Sequence, residues 1–137
     1  MSITYNELLH GHLISDVPLT HQHHLEELLV AVNKLRVLWN KPMIVTSGWR
    51  SPQEQMQINP KAPHSNHCLG YAVDVGDPDG SLYAFVEDLD HNNQQVLKDM
   101  GLWFEAGTNT RGIHSWLHIQ CVAYGSYRDG KSRFFNP

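Results

Sequence analysis

Apolar residues recur at helical spacing through Leu25, Leu28, Leu29, Val32, Leu35 and Trp39, which predicts one amphipathic helix over 21–39. Thr20 is placed to cap its start, and Asn40-Lys41-Pro42 stops it. Upstream, Thr4-x-x-Glu7 reads as a capping box opening a short helix through Leu8 and Leu9, with a loop between Gly11 and Pro18. Downstream the pattern changes. Met43-Ile44-Val45-Thr46 is short and β-branched and predicts a strand. Ser51-Pro52-Gln53-Glu54 combines a cap, a proline at the first helical position and a capping-box glutamate, so a short helix follows before Pro60 and Pro63.

Tyr71 to Val75 reads as a strand, and Asp77-Pro78-Asp79-Gly80 is turn chemistry. Two helical pieces follow, over 81–90 and 92–100, with Gly101 ending the second. Leu102 to Glu105 and Trp116 to Val122 read as strands joined by a loop from Gly107 to Gly112, and Arg133-Phe134-Phe135 adds an edge strand. Helices first, then strands with helical insertions, predict an α+β fold: a small, mainly antiparallel sheet with helices packed on one side.

The length of 137 residues fits a single domain, 1–137, with a true core. Hydrophobic residues at 41% and charged residues at 18% give a folded chain rather than a disordered one. A net charge of −4 argues against a nucleic-acid partner. No apolar run is long enough for a transmembrane helix, so no membrane partner is expected. The start, Met1 to Glu7, lacks a basic and then apolar leader, so synthesis in a cytoplasm without a signal peptide is the expectation. The two cysteines, Cys68 and Cys121, are expected as free thiols in a reducing compartment. Oligomeric state is not written in the pattern.

Ten histidines against ten Lys plus Arg shift attention to metal chemistry. Strand alternation puts Asp74 on a face with Ala72, opposite Val73 and Val75. It puts His118 on a face with Trp116 and Gln120, opposite Leu117 and Ile119. His67 falls in the loop before Gly70, where a glycine lets the chain fold a histidine toward a strand carboxylate. Two imidazoles and one carboxylate suit a catalytic zinc, which keeps a fourth position for water. On spacing alone a second reading stays open: a loop histidine, a turn-capping aspartate and a half-buried core histidine.

The pattern Ser65-x-His67-x-x-Gly70-x-Ala72-x-Asp74, followed by Trp116-x-His118, resembles the zinc D-alanyl-D-alanine carboxypeptidases and related phage peptidoglycan endopeptidases. These belong to the group that also includes lysostaphin and sonic hedgehog. The likeness runs from about Val45 to Gln120, and the first 40 residues carry no matching motif. It implies an antiparallel sheet carrying one Zn2+ on His67, Asp74 and His118. It also implies that Arg50, in Ser47-Gly48-Trp49-Arg50-Ser51, binds a substrate carbonyl or carboxylate and stabilises the oxyanion.

A zinc peptidase further needs a carboxylate to take a proton from water and pass it to the leaving amine. Many relatives carry Glu or Asp three residues before the last histidine, where this chain has Ser115. The nearest upstream carboxylate is Glu105, on the strand before the loop to His118, and it is the candidate base. His114 is a further candidate, for oxyanion hydrogen bonding or proton shuttling.

The expected partner is a peptidoglycan stem peptide or a D-Ala-D-Ala-type peptide, cut by a carboxypeptidase or cell-wall endopeptidase of phage or prophage type. Such an enzyme reaches the wall after phage-type release or as part of a virion. The competing reading is a non-catalytic zinc-binding domain with a binding or structural role in a phage particle, which Ser115 keeps alive. Elsewhere, His21, His23 and His24 read as solvated helix surface, His10 and His12 lack a nameable partner, and His64 shapes the motif loop. Cys68 reads as a packing residue. Trp49 and Trp116 are placed near a substrate groove.

Overall fold

A computed structural model describes residues 2–62, 64–107 and 116–136. Helix α1 (Tyr5–Leu9) opens on the expected capping box: Thr4 Oγ1 accepts from the Glu7 amide, and Glu7 Oε1 accepts from the Thr4 amide at 3.0 Å. A single 3-10 turn (Ile14–Asp16) leads to the long helix α2 (Leu19–Trp39). This helix starts earlier than predicted, and its cap is Pro18 rather than Thr20. The Pro18 carbonyl accepts the Gln22 amide at 3.0 Å, and the Gln22 side chain donates back to Val17 O at 2.9 Å. That pairing supplies the stop on the N-terminal side and leaves Thr20 inside the first turn. Leu25, Leu28, Ala31, Val32 and Leu35 form the buried stripe.

Strand β1 (Val45–Ser47) is shorter and later than Met43–Thr46 and carries a bulge between Val45 and Ser47. Met43 is instead a buried core residue ahead of the strand. Helix α3 (Pro52–Ile58) has the predicted Ser51/Glu54 capping box. A short helix α4 (Asn66–Leu69), capped by Ser65, then stands where a loop was expected, so His67 sits on a helical turn. It ends at Gly70, whose φ of 84° is left-handed and whose hypothetical Cβ would lie 2.5 Å from His21 O. The remaining elements are β2 (Ala72–Gly76), α5 (Ser81–Asn92), α6 (Gln94–Met100), β3 (Trp103–Glu105), β4 (Trp116–Gln120) and β5 (Phe134–Phe135).

The fold is α+β, with a five-stranded sheet in the order β1-β2-β4-β3-β5. Every pairing is antiparallel except β3 with β5, which is parallel. Val73, Val75, Phe104, Leu117 and Ile119 point to one face and are fully buried with α2, α1, α5 and α6 in a single core. The opposite face carries the polar members of the same strands. Both cysteines are free.

The C-terminal edge is fastened by Arg133, which is 2% exposed. Its guanidinium stacks 3.9 Å from the Trp103 ring, and its Nε donates to Leu102 O at 2.8 Å. Its backbone amide donates to Asp90 Oδ1 at 2.8 Å.

Candidate metal centre

The polar face gathers one row of side chains across the strands. Ser47 pairs with Asp74, and Asp74 pairs with His118. The register that pairs Phe104 with Ile119 carries Glu105 opposite His118. Asp74 and His67 are buried, and His118 is half-buried.

Asp74 Oδ1 is the focus. It lies 3.2 Å from His67 Nε2 and 3.0 Å from His118 Nδ1. The far nitrogen of each ring is committed elsewhere. His67 Nδ1 donates to Gly48 O at 2.9 Å, and His118 Nε2 donates to Gln120 Oε1 at 2.9 Å. Gln120, 2% exposed, is itself oriented, because its amide donates to Val122 O at 2.7 Å and its Oε1 accepts from Asn66 Nδ2 at 3.2 Å. These outer bonds orient both rings so that the near nitrogens point at the same place, donating to Asp74 when protonated and offering lone pairs to a cation when not. In the unprotonated form, lone pairs converging on a carboxylate oxygen call for a cation between them.

The donor set fits zinc. One ligand atom from each of His67, Asp74 and His118 lies within 4.8 Å of the others. Tetrahedral ligands at about 2.0–2.1 Å from zinc stand roughly 3.3 Å apart, close to the two separations above. Burial alone would raise the Asp74 pKa, but hydrogen bonds and charge from His118 and His67 outweigh it and hold the carboxyl well below the usual range. Burial lowers the His118 pKa, and the bond to Asp74 overrides it, leaving the ring above its ordinary value.

Arg50 reaches the same carboxylate, with Nη2 3.5 Å from Asp74 Oδ2. Its Nε donates to Ser47 Oγ and its Nη1 to Gln55 Oε1, each at 3.1 Å. Glu105 has a raised pKa, chiefly because it is half-buried; the charges of His118, Asp74 and His67 also act on it. The structure therefore brings His67, Asp74, His118, Arg50 and Glu105 to one face. His114 and Ser115 lie outside the described residues.

Gln120, Gly48 and Asn66 around the ligands, and Gln55 beside Arg50, are participants that sequence reasoning did not assign. Gln120 alone left a trace, being two residues from His118 and so on its face. Trp49 is a buried wall whose Nε1 donates to Cys68 O at 3.0 Å. His12 gains two partners, the Glu54 carboxylate and the Trp49 ring, which it meets in a T-shaped contact. His24 is not solvated surface: it donates from Nδ1 to Leu69 O at 2.7 Å, contacts the Tyr71 hydroxyl at 3.0 Å and stacks on that ring. His21 is half-buried beside it, and only His23 of the three is exposed.

A sheet face presenting two hydrogen-bond-oriented histidines and a buried aspartate defines a candidate metallohydrolase centre. The chain matches the family model for peptidase M15 over residues 1–120 and belongs to that family, one of zinc peptidases. The match includes the first 40 residues, where no motif was visible, and ends two residues past His118. Comparison with curated proteins and with solved structures gives no match.

Proposed function

We propose that the chain is a zinc peptidase that hydrolyses a peptidoglycan-type peptide bond, held by His67, Asp74 and His118 around the metal. The observation that carries this reading is the row Asp74–His118–Glu105, which sets a carboxylate of raised pKa beside a three-ligand donor set. Zinc bound there supplies Lewis acidity toward a carbonyl and toward a water. Glu105 takes the proton from the attacking water and hands it to the leaving amine; its raised pKa moves it toward the working pH for both transfers.

Arg50, pinned by Ser47 and Gln55, donates to the oxygen that gains charge. His114 is a second proton-handling candidate. The family and the Ser65-to-Asp74 motif support a substrate of stem-peptide or D-Ala-D-Ala type, cut by a carboxypeptidase or endopeptidase. No described helix is long and apolar enough to cross a membrane. Cytoplasmic synthesis followed by phage-type release, or a place in a virion, is the accompanying proposal.

The test measures zinc content and cleavage of purified peptidoglycan and D-Ala-D-Ala peptides by wild type and Glu105→Gln. Glu105→Gln is expected to keep its zinc and lose about 10²–10⁴ in kcat. Unchanged cleavage removes Glu105 as base. Zinc-loaded wild type that cuts no wall chemotype leaves the non-catalytic binding role.

A further inference from the structure

The row that carries Asp74, His118 and Glu105 runs on by one more strand. Phe135 on β5 pairs with Glu105 in parallel register, and its carbonyl accepts the Ala106 amide at 2.7 Å. Side chains alternate along a strand, so Phe134 stacks on the buried Phe104 ring while Phe135 stands on the metal face. Strand β3 separates β4 from β5, which puts their backbones about 10 Å apart. The Phe135 and His118 rings nevertheless lie 6.0 Å apart in a T-shaped contact. The two side chains lean toward each other across the strand of Glu105.

Tyr124 backs this ring, with centroids 5.4 Å apart and planes inclined by 36°. Its hydroxyl donates to Ser132 O at 2.8 Å, so its ring is the part offered to a ligand. Arg133, two residues before Phe135, brings no charge to this surface. It is buried against the Trp103 ring and donates to Leu102 O and to the Tyr127 hydroxyl. Phe135 and Tyr124 are each half-buried, which leaves part of an uncharged aromatic wall open beside a metal ligand. The family match ends at Gln120, so the wall is built from residues that follow it.

We propose that Phe135, backed by Tyr124, determines specificity by packing on an uncharged aliphatic side chain of a residue flanking the scissile bond. The proposal rests on the peptidase reading of the same site. Arg50 reaches Asp74 from the β1 side, and Phe135 reaches His118 from the β5 side. A peptide crossing the row turns an oxygen toward the guanidinium and a side chain toward the ring. An extended peptide advances about 3.3 Å per residue, so the residue next to the bond is the one that meets Phe135. A negative side chain there would face the Glu105 carboxylate, and a positive one would pair with it and occupy the base.

D-Ala-D-Ala-type peptides test this, with each of the two residues replaced in turn by glycine, D-leucine, D-glutamate or D-lysine. Calorimetry on zinc-loaded Glu105→Gln, with and without Phe135→Ala, gives binding apart from turnover; the Glu105 proteins give kcat and KM. At one of the two positions D-leucine is expected to bind about tenfold tighter than glycine, and tighter than either charged residue. Phe135→Ala should weaken the D-leucine peptide about tenfold and the glycine peptide less than about twofold, with zinc content kept. The loss should appear in KM rather than kcat. Tyr124→Ala, further from the metal, should lose about twofold to threefold of the same preference, and it carries the test if Phe135→Ala fails to fold.

No preference at either position, a preference that survives Phe135→Ala, or equal weakening of the glycine peptide overturns the proposal. Cleavage by wild type without the preference removes the wall and keeps the peptidase. Binding with the preference but no cleavage removes the peptidase and keeps the wall.

Discussion

Replacing Gln120 by alanine removes the acceptor that holds His118 Nε2–H, and with it the ring orientation that aims Nδ1 at the metal. The expected result is a loss of about 10–100-fold in zinc affinity, measured by competition with a chromophoric chelator, in a protein that still folds. Glu105→Gln should give the converse: affinity kept, turnover lost. The grouping of the candidate ligands was legible because strand alternation sets the faces of Asp74 and His118 and the motif points to His67, although the helical turn that carries His67 was read as a loop. Gln120 was half-legible for the same reason. Gly48 was not, because its part is played by a backbone carbonyl, which leaves no mark in residue type. His24 was misread because three histidines near a helix start look alike until Tyr71 and Leu69 are known to lie beside one of them.

At the scale of elements, the turn after β1 is held by close approach. Gly48 packs against the Leu8 carbonyl, where a Cβ would collide, and Trp49 N donates to that oxygen at 2.8 Å. Gly48→Ala is therefore expected to cost about 1–3 kcal/mol in urea unfolding and to weaken zinc binding as the His67 acceptor shifts. The start of α3 carries a pH signature. Burial pushes the Glu54 pKa up, but hydrogen bonds from Ser51 and His12 win and hold it below its ordinary 4.5. A depressed folded pKa stabilises above the unfolded value and is lost as pH falls through the folded one. Thermal melts should therefore lose part of this support below about pH 4.5, and His12→Ala should flatten that acid limb. The cap of α3 was readable because its chemistry is local. The His12 partnership spans 42 residues and was not.

At the scale of the whole molecule, zinc should act as a folding ligand. Metal bound at a site made from α4, β2 and β4 favours the native state by about 2.7 kcal/mol at a hundredfold excess over Kd. Melting temperature should rise with zinc and fall with chelator, and Asp74→Asn should abolish the shift; an equal shift in that variant would place the metal elsewhere. The fold class was legible from the order of helical and strand patterns. The strand order was not, because β4 inserts between β2 and β3 through contacts distant in sequence.

The pairing of Asp74 with His118 has a consequence for how the chain reaches this state. Side chains alternate along a strand, so a slip of β4 by one residue against β2 would turn His118 toward the helices and Ile119 toward water. Such a misfolded sheet could keep most of its hydrogen bonds, yet it would break up the donor set. Metal capture at this donor set would thus proofread strand register, and zinc retained after refolding is expected to measure the fraction of molecules that aligned correctly.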